Sequence, residues 1–193
     1  MLKLGDEKYQ EKDRKAVFNG GKAGVVNNCT VRIERKGPEE NEKAPKYKMY
    51  FTDETGAEIN RAFFVPNIKS EQQDIFFMRE MNHVLKQCGI EIPKDKGFND
   101  HEEILDFVMK SCKDAITKEK FGVAVAYGTT KKPSSYLEVG GFWEFRNEKF
   151  ITDKDPLVLG KDAVRERIEP KSPINKPTDD GWDVKPKGDD LPF

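Results

Sequence analysis

The stretch AGVVNNCTVRIERK, residues 23–36, places Val25, Cys29, Val31 and Ile33 at odd positions, with Asn28, Thr30, Arg32 and Glu34 between them. A period of two belongs to a strand with one face in a core and the other in water. The same alternation returns in KYKMYFTDETGAEINRAFFVP, where DETG divides two runs and predicts a β-hairpin. Tyr47, Met49 and Phe51 share one face of its first strand, and Ile59, Phe63 and Val65 one face of its second. A chain that alternates in this way must close its apolar faces around one compact core.

From Ser70 the period becomes helical. Ser70 precedes acidic residues as an N-cap does, and Phe77, Met81, Val84, Leu85 and Cys88 form a stripe that stops at Gly89. Asp100 opens a second helix with Ile104, Leu105, Val108, Met109 and Cys112 on its apolar side. A second hairpin follows: Phe121, Val123, Val125 and Tyr127 alternate with Gly122, Ala124 and Ala126, GTTKKPSS forms a basic loop, and a return strand runs from Tyr136 to Phe145. Gly140 and Gly141 predict a bulge or bend in that return. The small face of Gly122, Ala124 and Ala126 suits a helix packed on the sheet, or the close approach of a base. From about Glu166 five prolines and no period predict a disordered tail. The expected organisation is mainly β with inserted helices (α+β): a body over residues 1–165, its helical insertion at about 70–116, and a linker and acidic tail over 166–193. Strands that do not alternate singly with helices favour a small, strongly bent β-barrel over a parallel sheet.

Charge is separated along the chain. Net charge is -1, yet residues 1–50 hold 12 Lys and Arg against 8 Asp and Glu, and the segment from Asp179 has five aspartates against two lysines. No apolar run is long enough to cross a bilayer, and the charged N-terminus lacks a signal peptide's apolar stretch, so an intracellular, cytoplasmic protein is expected. Three widely spaced cysteines, Cys29, Cys88 and Cys112, argue against a disulfide framework. With two separated histidines, His83 and His101, and neither CxxC nor HExxH spacing, no metal or other cofactor is expected. NGGKAG lacks the GxxxxGK[ST] spacing of a phosphate loop, and Glu102 and Glu103 fit a helix first turn, so no catalytic set emerges.

The closing DDLPF, in its acidic context from Asp179, resembles the tail tip of single-stranded DNA-binding proteins. The long body, two inserted helices and short linker are more similar to bacteriophage-encoded versions than to cellular ones. The resemblance implies an OB-fold body, with helices between its third and fourth strands, that coats single-stranded DNA during replication, recombination and repair in a bacterial host. It also implies a tail that recruits DNA polymerase, primase, helicase or recombination proteins, and it allows a homodimer. Asp189 and Asp190 would meet basic residues on a partner, while Leu191, Pro192 and Phe193 fill its pocket.

Such binding needs a basic groove and aromatic faces for bases. The sequence offers Phe18 and Lys22 around NGGKAG, Arg32 on the first strand, Lys48, Tyr50, Arg61 and Phe64 on the first hairpin, and Lys131, Lys132, Tyr136 and Trp143 on the second. Phe63, Phe121 and Phe145 fit the core instead, whereas Tyr50, Tyr136 and Trp143 carry polar groups suited to a half-wet surface. Two other readings share the tail: a replisome or recombination adaptor with little DNA affinity of its own, and a nuclease or other DNA-processing enzyme, which paired metal-binding carboxylates on strands would favour.

Overall fold

A computed structural model of the chain describes residues 16–36, 45–66, 70–92 and 96–168. The predicted tail, including Asp189, Asp190, Leu191, Pro192 and Phe193, lies outside the described residues. In chain order the elements are β1 (Gly24–Arg35), β2 (Tyr47–Thr52), β3 (Glu58–Phe63), α1 (Glu71–Gln87), α2 (His101–Ile116), β4 (Phe121–Thr129), β5 (Lys132–Glu138) and β6 (Phe145–Asn147). All the strand pairs are antiparallel, in the order β3-β2-β1-β4-β5, with β6 also on β4. The architecture is thus a mainly antiparallel sheet with two helices.

β1 belongs to two ladders. Gly24 to Cys29 pair with β4, and Thr30 to Arg35 pair with β2. Within the β4 ladder the register shifts between Val26 and Cys29, where Asn28 has a left-handed φ of 61°. Asn tolerates that conformation better than a branched residue, so the bulge can bend the strand there. Both backbone groups of Asn28 are held: its N–H donates to Glu148 Oε1, and its carbonyl accepts from Lys120 Nζ at 3.3 Å. The bend turns the inward faces of both halves onto one core. There the Phe51 ring lies 5.5 Å from Phe145 and 6.4 Å from Phe121, tilted in both pairs.

The alternation of residues 47–63 is realised as drawn, with Tyr47, Met49, Phe51, Ile59 and Phe63 buried. The turn between β2 and β3 is organised by Asp53, which accepts from Thr55 N and Oγ1, from Ala57 N and, across the chain, from Asn19 N at 2.9 Å. Burial pushes the Asp53 carboxyl up, but the bonds from Thr55, Asn19 and Ala57 outweigh it and hold the group below its ordinary range.

α1 starts at the predicted cap, Ser70, and α2 at Asp100, whose side chain accepts from Glu103 N at 2.8 Å. Phe77, Met81, Val84, Leu85 and Cys88 face Leu105, Val108, Met109 and Cys112 in the common core. Polar braces fix the helices to the sheet. The Tyr47 hydroxyl donates to Asp106 Oδ1 at 2.8 Å, and Asn147 N donates to Gln87 Oε1 at 2.8 Å.

Three expectations are corrected. First, the sheet is open rather than a closed barrel. β3 and β5 approach each other, but no ladder joins them among the described residues. Instead the Arg61 guanidinium reaches across, donating to Val139 O at 3.4 Å and to Gly140 O, and a side-chain bridge holds the strands farther apart than a backbone ladder does. Second, the bend expected at Gly140 and Gly141 is present but divides the return strand in two: β5 ends at Glu138 and β6 begins at Phe145. The Glu144 carboxylate accepts from Gly140 N and, at 2.9 Å, from Gly141 N, folding the segment into a turn. Burial raises the Glu144 pKa, with those two amides and Arg61 opposing it. Third, among the described residues it is not a helix that packs on Gly122 of the small face of β4. A Cβ on Gly122 would meet Ile151 at 2.8 Å and Leu157 at 3.1 Å, so the segment after β6 packs closely on that glycine.

Candidate nucleic-acid interface

The outward faces of β1, β2 and β3 form a grid set by register. Thr30, Thr52 and Glu58 make one row, Arg32, Tyr50 and Asn60 the next, and Glu34, Lys48 and Ala62 a third. A period of two places these residues opposite the buried Val31, Ile33, Met49, Phe51 and Ile59.

At its centre the Arg32 guanidinium lies 4.0 Å from the centroid of the Tyr50 ring, a cation over an aromatic face. Arg32 is also held at its edges. Its Nε and Nη2 donate to Glu58 at 3.1–3.3 Å, and its Nη1 to Glu34. Thr52 Oγ1 donates to the same Glu58 carboxylate at 3.1 Å. Lys36 pairs with Glu34 at 3.5 Å and stands 5.6 Å from the Tyr50 ring. Lys48 is half-buried on the same face and makes no ion pair among the described residues. The grid therefore carries an aromatic plane and three cations, with two carboxylates occupying much of their charge.

Arg32, Lys48 and Tyr50 are thus brought together. Lys131 is exposed at the tip of the β4–β5 hairpin, and Lys132, expected in the loop, is the exposed first residue of β5. Tyr136 is 75% exposed on β5, Phe64 is 49% exposed just beyond β3, and Lys22 is exposed after a 3-10 turn.

Three placements differ from expectation. Phe18, expected at the surface, is 4% exposed, because the turn Phe18–Gly21 folds its ring into the core. Arg61 shares the inward register of Ile59 and Phe63, and its guanidinium pairs with Glu80 of α1 at 2.9 Å. It braces the fold, with its side chain 21% exposed. Trp143 is 52% exposed but meets the Phe76 ring of α1 edge-on at 6.2 Å, so it belongs to the helix surface and not to the sheet grid.

The sequence reading missed Glu34, Lys36 and Glu58. Alternation alone places Glu34 beside Arg32, whereas Glu58 is recognised only through the hairpin register that sets it against Thr52.

A groove of about 730 Å³ lies beside the grid, between the 3-10 turn, the start of β3 and β5; Glu58, Ile59, Tyr127, Tyr136 and Arg167 are among its lining residues. Among the described residues no group of three or more His, Cys, Asp or Glu is placed to hold a metal ion, and no helix is long and apolar enough to cross a membrane. Comparison with protein-family models, with curated proteins and with solved structures returns no match to this chain.

Proposed function

We propose that this chain is a bacteriophage-type single-stranded DNA-binding protein. It coats and protects single strands without strong sequence preference during replication, recombination and repair in a bacterial cell, and it performs no catalysis. Its acidic segment, ending in Asp189, Asp190, Leu191, Pro192 and Phe193, recruits polymerase, primase, helicase or recombination proteins.

The observation that carries the reading is the stack of Arg32 on Tyr50 at 4.0 Å on an outward sheet face beside Lys48. An aromatic plane accepts any base, and neighbouring cations accept its phosphates, giving binding that tolerates sequence. Further support comes from topology. The order β3-β2-β1-β4-β5, a long bent β1 shared by two ladders, and helices between β3 and β4 are what an OB-fold opened between its third and fifth strands would have, and so support that reading. Partly open barrels of this kind bind oligonucleotides on the face of strands two and three and at the loop between strands four and five. Here that loop carries Lys131.

The charge balance favours a second reading, a replisome or recombination adaptor with little DNA affinity, because Glu34 and Glu58 already occupy the Arg32 fork. Fluorescence anisotropy of labelled oligo-dT, titrated with protein at several salt concentrations, separates the two. The binding protein prefers single over double strands and loses affinity with a log–log salt slope of about -0.7 per phosphate contact. No anisotropy change at low salt leaves the adaptor.

A further inference from the structure

We infer that the groove between the 3-10 turn, β3 and β5 is a second base-binding subsite, occupied by an unpaired nucleobase of the strand that crosses the grid. This rests on the reading of the protein as a single-strand binder and adds a site that lies off the sheet face.

The floor of the groove is apolar. Phe18, Ile59 and Tyr127 lie in it at 4%, 8% and 6% exposure, and the Tyr127 hydroxyl donates to Gly21 O at 2.6 Å, fastening the turn to β4. One wall is glycine backbone. Gly20 and Gly21 have φ of 58° and 76°, and a Cβ on Gly20 would touch nothing within 4 Å, so the wall is open to a ligand. On the β5 side stands Tyr136, which is 75% exposed. An apolar floor with an aromatic side chain at its edge suits a flat heterocycle, and about 730 Å³ lies within the usual size of a small-ligand site.

The rim supplies the rest of a nucleotide's requirements. Arg167 lines the groove and Lys22 is exposed immediately after Gly21, both of the sign that phosphates need. Glu58 is the link to the grid: it lines the groove and also holds Arg32, so one carboxylate stands where the two surfaces meet. That carboxylate is turned to Arg32 and Thr52, which reduces its repulsion of a passing backbone. A strand lying on Tyr50 thus has a continuous path past Glu58 to Tyr136.

The test uses full-length protein and oligo-dT of increasing length, about 4 to about 16 nucleotides, which spans the usual site sizes of such folds. Tyr136→Ala removes the aromatic group, and Val17→Trp fills the groove mouth from a residue that is 63% exposed, so neither disturbs the core. Thermal unfolding checks that each variant keeps the wild-type fold. Both variants are expected to bind the shortest oligonucleotide as wild type does and the longer ones about tenfold more weakly, whereas Tyr50→Ala weakens every length. An oligonucleotide carrying 5-iodouracil is expected to photocrosslink to Tyr136. Wild-type binding by both variants at every length, alongside a weakened Tyr50→Ala, overturns the groove and leaves the grid standing. Absence of any binding by wild-type protein overturns both.

Discussion

Arg32 on β1 and Glu58 on β3 meet across the intervening β2, their closest pair of charged atoms 3.1 Å apart and both side chains 40% exposed. The carboxylate presents two oxygens to the guanidinium, the same fork geometry that a phosphate uses. In the proposed function the two therefore compete for one cation.

Glu58→Gln is expected to tighten oligo-dT binding by about two- to fivefold, the scale of an exposed ion pair, and to steepen its salt dependence. Glu54→Gln, which removes a charge from the adjoining turn, serves as the control for general electrostatics. In an Arg32→Ala background the gain from Glu58→Gln should vanish. Equal effects of both Gln substitutions in anisotropy titrations would reduce Glu58 to a generic repulsive charge.

Tyr50→Ala removes the aromatic plane beneath Arg32. A lost stack costs about 1–3 kcal/mol of binding, a drop of roughly five- to 150-fold in affinity. Tyr50→Phe keeps the plane and should bind like wild type. Equal loss in both variants would point to the hydroxyl instead.

Arg61 separates a structural from a DNA-binding role. Its side chain is 21% exposed and Glu80's is 12%, so Arg61→Ala leaves a largely buried carboxylate without its cation. Because some solvent reaches the pair, the cost falls below the 3–5 kcal/mol of a fully buried one, at about 2 kcal/mol in urea unfolding. The salt slope of DNA binding in the refolded variant should stay at the wild-type value.

His83 gives stability a pH dependence near neutrality. Burial holds its pKa below 6.5, with Arg146 and Lys86 adding to the effect and the contact of Nε2 with Phe145 O, 3.0 Å away, opposing it. The unfolded chain therefore binds the proton more readily than the folded one. Stability is full above pH about 6.5 and declines as pH falls towards the folded value, by at most about 1.4 kcal/mol per pH unit. Denaturant midpoints measured from pH 8 to pH 5 should show the decline, and His83→Gln should flatten it. Asp53 adds a second, more acidic window. Its folded pKa is depressed, so its stabilisation is present above about 3.9 and is lost as pH falls through the folded value.

At the β1 bulge, Asn28→Gly should leave stability within a few tenths of a kcal/mol, while Asn28→Val should cost about 1–2 kcal/mol. Equal urea midpoints for the two variants would mean that the left-handed conformation of residue 28 places no demand on the side chain.

Much of the architecture was legible because it is local. Alternation from Tyr47 to Phe63 named the buried face, and Ser70 and Asp100 marked the helix starts, since caps and periods depend on neighbours a few residues away. The same rule placed Lys48 and Tyr50 on the outward face of β2. At Arg61 the same alternation points inward with Ile59 and Phe63, but the partner that lets a cation sit there, Glu80, lies on a helix that the strand pattern cannot locate. The rule failed at Phe18 because a short turn has no period, and only the packed core shows where that ring goes.

Periodicity and turn chemistry along the chain thus set the strands, the helices and the faces they bury. Which strands pair, where the sheet stays open, that Glu58 holds Arg32 and that Tyr136 lines a groove were decided by tertiary structure. The physical reason is range. Period and capping act over one or two turns of chain, whereas pairing register and charge contacts join residues tens of positions apart, and their free energy exists only once the core has brought them together.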